Sequence, residues 1–246
     1  MYVFAGRGIL LDIEGTTSSV RFVYDVMFPF VRRELESYLA GNWGASDLRA
    51  ACELIARDAG YESFADWSAT ASTGEQQCQL VAGEIVRLMD GDIKATGLKQ
   101  LQGLIWKSGF ESGELQAHVY EDVPTALTAW NEADIDVRIY SSGSVAAQKL
   151  FFGHTIAGDL LHCFRGHYDT TTGPKKEMAS YEQITAAFGF PANDILFISD
   201  LVAELDAART VGMQTALSLR PDNPDIDPLH GHTVITSFAE VRIFAT

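Results

Sequence analysis

Three apolar residues, Ile9, Leu10 and Leu11, run straight into Asp12, which is followed by Glu14, Gly15, Thr16 and Thr17. A short apolar run ending at a turn signal reads as a buried parallel strand. The period then changes. Val23, Val26, Met27, Phe30, Val31, Leu35, Tyr38 and Leu39 recur at helical spacing, predicting a helix over 20–40. Pro29 lies inside that pattern and predicts a kink or a break near Phe28. Residues 46–59 and 75–94 are also helical in pattern. Asp47 and Glu75 stand near their starts, where the helix dipole favours an acid. No strand pattern appears between residues 20 and 118. The return segment carries Gly97, Gly103, Gly109 and Gly113, with Trp106 and Phe110 between them. These glycines serve either as hinges or as close-packing positions.

From residue 120 strands and helices alternate. Asp122-Val-Pro124 opens a helix, with proline early in its first turn. Residues 136–140 read as a strand ending at Ser141-Ser142-Gly143-Ser144, and a helix follows through Leu150. A short helix is expected within 155–163 and a short strand at 164–168. A helix over 177–188 follows Pro174-Lys175-Lys176-Glu177, and Ile195 to Ile198 form a buried strand ending at Ser199-Asp200. A helix over 201–211 and strands at 214–219 and 233–235 complete the pattern. Such alternation predicts a parallel sheet with helices on both faces. The helical span 20–118 exceeds an ordinary crossover and reads as an insert. The expected division is a core of residues 1–19 and 119–246, with an all-helical cap, 20–118, inserted after the first strand.

Composition narrows the classes. The 246 residues are long enough to bury a full core. A 47% hydrophobic and 21% charged make-up is that of an ordinary globular chain. The formal net charge of −15 argues against a nucleic-acid or anionic-membrane surface. Any phosphate must therefore meet a metal ion or a deliberately placed lysine. Cys52, Cys78 and Cys163 are odd in number and widely spaced. That spacing fits a reducing cytoplasm better than a disulfide framework or a zinc cage. No apolar run approaches the roughly 20 residues of a membrane helix, and no secretory leader pattern is present.

The candidate chemistry lies at strand ends. In open α/β sheets the ligand crevice lies beyond the carboxyl ends of the strands. Three predicted strands end there in polar groups: Asp12 and Glu14, then Ser141 and Ser142, then Asp200, with Glu204 one helical turn further on. Lys175 precedes a helix between the second and third. Carboxylates from separate strands make an oxygen-rich site suited to Mg²⁺. A hydroxyl, backbone N–H groups and a lysine beside them suit a phosphoryl group. The set describes phosphoryl transfer to a carboxylate nucleophile. Asp12 would attack phosphorus, Ser142 would donate to a phosphoryl oxygen, and Lys175 would offset negative charge. Glu14 would protonate the leaving alkoxide and then activate water. Asp200 would ligate the metal, with Glu204 behind it.

D-x-[DE]-G-T after a strand, a strand ending in Ser, a Lys and then S-D-x-x-x-E resemble the haloacid dehalogenase superfamily of phosphatases. The segments D-I-E-G-T-T, L-K-Q-L-Q-G-x-x-W, I-Y-S-S-G-S-V-A-A-Q-K-L-F-F-G-H and F-I-S-D-x-x-x-E-L-D-A-A together resemble the acireductone synthase family, the bifunctional enolase-phosphatases of methionine salvage. The resemblance covers nearly the whole chain. It implies a Rossmann-like core with a helical cap, Mg²⁺ as cofactor, and a cytoplasmic enzyme that is monomeric or weakly associated. The implied reaction converts 2,3-diketo-5-methylthiopentyl-1-phosphate to the acireductone and phosphate. The family's metal positions fall on Asp12, Glu14 and Asp200, with Glu14 reaching the metal through its backbone carbonyl. Its substrate-binding pair falls on Ser141 and Ser142, and its substrate lysine on Lys175 rather than Lys176. The base for enolisation stays open among Glu14, Lys175 and a cap residue.

Rival readings are another capped phosphatase or phosphomutase acting on a sugar phosphate, a metal-free dehalogenase, and a non-catalytic binding module. His230-Gly-His232 reads as an exposed loop rather than a metal pair. His154 and His167 read as structural, and Asp206 as helix surface or a structural hydrogen bond. Ser141 and Ser142 also have a plain alternative as the N-cap of the following helix.

Overall fold

The computed structural model describes residues 1–244, and the backbone alone of Pro228. Its contacts divide into two compact units, residues 1–23 with 116–246, and residues 24–115.

The first unit is built on a six-stranded parallel sheet. Its strands are β2 (Gly8–Leu11), β3 (Asp136–Tyr140), β4 (Gly166–Tyr168), β5 (Ile195–Ser199), β6 (Gln214–Ser218) and β7 (Thr233–Ile235), in the order β4-β3-β2-β5-β6-β7. β2 is central, with Ile9 opposite both Val137 and Leu196. Every residue of β2 and β5 is buried, as expected of strands covered on both faces. Around the sheet stand α6 (Asp122–Glu132), α7 (Val145–Gly153), α8 (Met178–Phe188) and α9 (Val202–Val211). The sheet carries helices on both sides. Tyr181, Ile184 and Phe188 of α8 and Leu205 and Ala208 of α9 pack on Leu10, Tyr140, Phe197 and Leu217. A separate two-stranded parallel pair joins β1 (Tyr2–Phe4) to β8 (Val241–Ile243).

The second unit is helical among its described residues: α1 (Phe28–Asn42), α2 (Ser46–Asp58), α3 (Phe64–Trp67), α4 (Gly74–Asp90) and α5 (Thr96–Glu111). The helix expected over 20–40 breaks at Phe28. A wider π-helical turn, Phe22–Met27, precedes α1, and Pro29 sits in the first turn of α1, where its missing N–H costs nothing. Thr73 and Gln76 cap α4 reciprocally: Thr73 Oγ1 accepts from Gln76 N at 3.2 Å, and Gln76 Oε1 accepts from Thr73 N at 3.3 Å.

Two of the return-segment glycines are close-packing positions inside α5. A Cβ on Gly97 would lie 2.4 Å from the Ile55 nitrogen, and one on Gly109 would lie 2.4 Å from the Phe30 ring. A Cβ on Gly103 would meet nothing within 4 Å. Gly113 ends the segment in a left-handed turn, with φ +76°.

The short helix expected within 155–163 is not formed as one element. Thr155 to Gly158 make a tight turn, Thr155 Oγ1 donating to Gly158 O at 2.6 Å, and only Leu161–Cys163 form a 3₁₀ turn. Gly158, at φ +91°, interrupts any helix there. The loop expected around His230 and His232 is not wholly exposed. The His232 ring is buried, with Nδ1 2.8 Å from Thr215 Oγ1 and Nε2 3.2 Å from Asp206 Oδ1. Both nitrogens of His232 are engaged by protein, and His230 Nδ1 accepts from His232 N at 3.0 Å. Among the described residues no helix is long and apolar enough to cross a membrane.

The helical unit gives a paired prediction. Gly103→Ala will stabilise it by roughly 0.5–1 kcal/mol, because alanine lowers the entropic cost of the helix in open space. Gly97→Ala will destabilise it by roughly 1–3 kcal/mol through overpacking on Ile55. Urea unfolding followed by circular dichroism reads both, and an unchanged midpoint for Gly97→Ala contradicts the close approach.

Candidate active site

Asp12 is the first residue beyond β2. Its N–H donates to Ile198 O of β5 at 3.0 Å, which holds it at the carboxyl edge of the two central strands. The chain then turns sharply: Thr16, Thr17 and Ser18 all donate their N–H to Ile13 O, and Thr17 Oγ1 lies 3.3 Å from Asp12 O. Gly15 makes the turn possible at φ +69°, a left-handed conformation. It also leaves room for Asp200, since a Cβ there would lie 2.4 Å from Asp200 Oδ2.

Lys175 arrives from the loop before α8. Its Nζ donates to Asp12 Oδ1 at 2.6 Å and lies 2.7 Å from Glu204 Oε2. The loop is fixed from below by three hydroxyls. Tyr181 donates to Lys175 O at 2.6 Å, Tyr140 to Gly173 O at 2.9 Å, and Ser180 to Pro174 O at 2.8 Å. Lys176 is exposed. Glu204, in the first turn of α9, also accepts from Ser199 Oγ at 3.0 Å, and that hydroxyl accepts from Leu201 N at 3.1 Å. Glu204 thus grips the lysine that grips Asp12.

Three buried carboxylates, Asp12, Asp200 and Glu204, face one ammonium. Burial, then the charges of Asp12 and Glu204, push the Asp200 carboxyl up to about 7. Burial and Asp12 push Glu204 up to about 7 as well, against the pull of Lys175. Burial works against the Lys175 ammonium, but Asp12 and Glu204 outweigh it and hold the group above its ordinary value. Lys175 is therefore held as an ammonium in this pocket.

The serine loop is held independently. Gln148 Nε2 donates to Gly143 O at 2.8 Å and to Tyr168 O at 2.7 Å, and Asp169 Oδ2 accepts from Val145 N at 2.9 Å. The N-cap of α7 is Ser144, whose Oγ accepts from Ala147 N at 3.3 Å. Ser141 and Ser142 therefore do not cap the helix. Ser141 is buried, its Oγ accepting from Gly143 N at 3.3 Å, and Ser142 is exposed. Glu14 is half-buried on the turn, its backbone bridged to Ser18. Sequence reasoning did not single out Tyr140, Tyr181, Ser199 or Gln148 as supports. Tyr140, Ser199 and Gln148 stand inside motifs already quoted, whereas no motif set Tyr181 apart.

The donor set fits a hard cation. Asp12 and Asp200 supply buried oxygens near enough to raise the Asp200 carboxyl, and negative charge exceeds positive in the pocket. Among the described residues no three acidic, histidine or cysteine side chains converge as a cage. The expected set asks for only two side chains, Asp12 and Asp200, with Glu14 acting through its backbone carbonyl, so it does not require such a cage. Mg²⁺ needs no cage, because it binds through one or two carboxylates, water and substrate phosphate.

The family model for haloacid dehalogenase-like hydrolases matches residues 7–212. An enolase-phosphatase E1 of Sorangium cellulosum is 42% identical over 241 residues, covering 98% of this chain and 99% of that one. The chain belongs to the enolase-phosphatase E1 family. The Drosophila melanogaster member is 41% identical over 238 residues, covering 90% of this chain and 92% of its own. Among solved structures, the UTR4 protein of Saccharomyces cerevisiae superposes with a TM-score of 0.78 at 32% identity, covering 96% of this chain and 99% of that one. As an enolase-phosphatase family member with a hydrolase core, the chain is an enzyme of the phosphatase class.

Asp200 generates a prediction about pH. A carboxyl raised from 3.8 to about 7 contributes stability below pH 4 that is lost as pH rises through 7. In metal-free buffer Asp200→Asn will therefore be more stable than the unchanged protein above pH 7, by roughly 1–4 kcal/mol. The difference will vanish towards pH 4. Thermal unfolding across that range in EDTA measures it, and a pH-independent difference contradicts the assignment.

Proposed function

We propose that this chain enolises 2,3-diketo-5-methylthiopentyl-1-phosphate and then removes its phosphate, releasing the acireductone of methionine salvage, with Mg²⁺ as its cofactor. The observation that carries the reading is the buried contact of Lys175 with Asp12 at the end of β2. A carboxylate held by an ammonium at a sheet's carboxyl edge is an oriented nucleophile beside an anion site. Relatives named as enolase-phosphatases, aligned over almost the whole chain, support the substrate.

In this mechanism Asp12 and Asp200, with the Glu14 carbonyl, would hold the cation. When bound, Mg²⁺ supplies charge neutralisation between the nucleophile and the phosphoryl oxygens and polarises the substrate. Ser141 and Ser142, on the loop braced by Gln148, hold the phosphorylated substrate. An Asp12 carboxylate oxygen attacks phosphorus, the ester P–O bond breaks, and Glu14 gives its proton to the departing oxygen. Glu14 then takes a proton from water as the water attacks the aspartyl-phosphate. The Asp12–phosphorus bond breaks and the free carboxylate returns. Lys175 stays protonated throughout, offsetting charge on Asp12 and on the phosphoryl group.

Two measurements test the reading. Ultraviolet absorbance of the diketone phosphate should show an enol species rising before phosphate appears, in Mg²⁺ and not in EDTA. Turnover of sugar phosphates alone contradicts the substrate. Asp12→Asn should lower phosphate release by at least about 10³-fold with the circular dichroism spectrum unchanged, and an active Asp12→Asn protein removes Asp12 as nucleophile.

A further inference from the structure

Asn223 lies in the turn that follows β6. Its Nδ2 donates to Gly15 O at 3.0 Å and to Ser218 O at 3.1 Å. Both partners are main-chain carbonyls, which only accept, so they fix which end of the amide is nitrogen. The other end, Oδ1, must face away from them. It is closed off from solvent and has no hydrogen-bond partner. Of the buried side-chain atoms in that condition among the described residues, Thr16 Oγ1 and Arg220 Nη2 carry hydrogens of their own. Asn223 Oδ1 can only accept.

What it faces is the turn that carries the nucleophile. A Cβ on Gly15 would lie 2.9 Å from Asn223 Oδ1 and 2.4 Å from Asp200 Oδ2. The two oxygens border the same small space over Gly15. Asp200 is itself buried beside Asp12. Acceptors gathered on one dry space need a donor or a cation between them, because a buried acceptor left unpaired is costly.

We propose that Asn223 is a further residue of the cation site. Its Oδ1 accepts a hydrogen bond from a water of the hydration shell of the cation held by Asp12 and Asp200. The inference rests on the Mg²⁺ reading above. Mg²⁺ sheds its waters reluctantly, and each one it keeps is a strong donor. Groups that orient the outer shell set affinity nearly as firmly as the ligands do. Asn223 also holds the Gly15 carbonyl, so one side chain ties the nucleophile turn to the shell of the ion that the turn helps to bind.

Calorimetric titration with Mg²⁺, together with the rise in Tm that Mg²⁺ produces, tests this on the full chain. Asn223→Ala should weaken Mg²⁺ binding by about ten-fold or more and shrink the rise in Tm. Asn223→Ser, too short for its hydroxyl to stand where Oδ1 stands, should do the same, and its polar side chain guards against a folding defect in the alanine variant. Ser218→Ala is the control. Ser218 Oγ donates to the same Gly15 carbonyl at 3.2 Å, so its loss loosens the turn without removing the acceptor. It should bind Mg²⁺ within about two-fold of the unchanged protein, since the outer-shell acceptor is intact. Unaltered affinity in both Asn223 variants overturns the proposal, as does equal weakening in Ser218→Ala. An unchanged protein that binds no Mg²⁺ overturns the cation reading as well.

Discussion

Lys175 Nζ lies between Asp12 Oδ1 and Glu204 Oε2, at 2.6 and 2.7 Å, and the arrangement of the sheet edge depends on that contact. Taking a carboxylate out of water is costly unless a partner charge goes with it. The first unit supplies the partner from far along the chain and then secures it. Tyr181 fixes the Lys175 carbonyl, and Ser199 fixes the second carboxylate that shares the ammonium. Asp12 is thus aimed by the core itself, since Tyr140, Tyr181 and Phe197 belong to the same packed cluster as Leu10.

The same contact leaves a deficit of positive charge. Burial first, and then the three carboxylates that face one ammonium, make Asp200 and Glu204 both hold protons unusually well. On the proposed reading, a pocket in that state would take up a divalent cation and, with it, an anionic phosphoryl group. A chain with a formal charge of −15 would otherwise repel such a group. On that reading folding stability and ion binding would be opposed at Asp200. The carboxylate that destabilises the metal-free protein at neutral pH is the one that makes the site a strong oxygen donor.

The parts of this arrangement that local chemistry specifies were legible in the sequence. β2 and β5 announce themselves as apolar runs ending in Asp, β3 as a short strand running into Ser, and the parallel order follows from strands alternating with helices. The residues that require three-dimensional placement were not. Ser144 rather than Ser141 or Ser142 caps α7, and serines one to three residues apart carry no signal that separates them. The return-segment glycines read equally as hinges or contacts until Gly97 was seen against Ile55. β1 and β8 are three residues each and pair across nearly the whole chain, too short and too distant for periodicity to find. Asn223 stands among turn residues, where an asparagine is ordinary, and only its orphaned oxygen marks it.

In the proposed reaction Asp12, held by Lys175, takes the phosphoryl group onto its own carboxylate. Rapid quenching during turnover, followed by borohydride reduction and peptide mass spectrometry, tests it directly, because an acyl phosphate is reduced to an alcohol whereas a free carboxylate is not. Homoserine should appear at position 12, and only when substrate and Mg²⁺ are both present. Reduction at Glu14 or Asp200 instead, or phosphate release with no reduced residue at any time point, would contradict it.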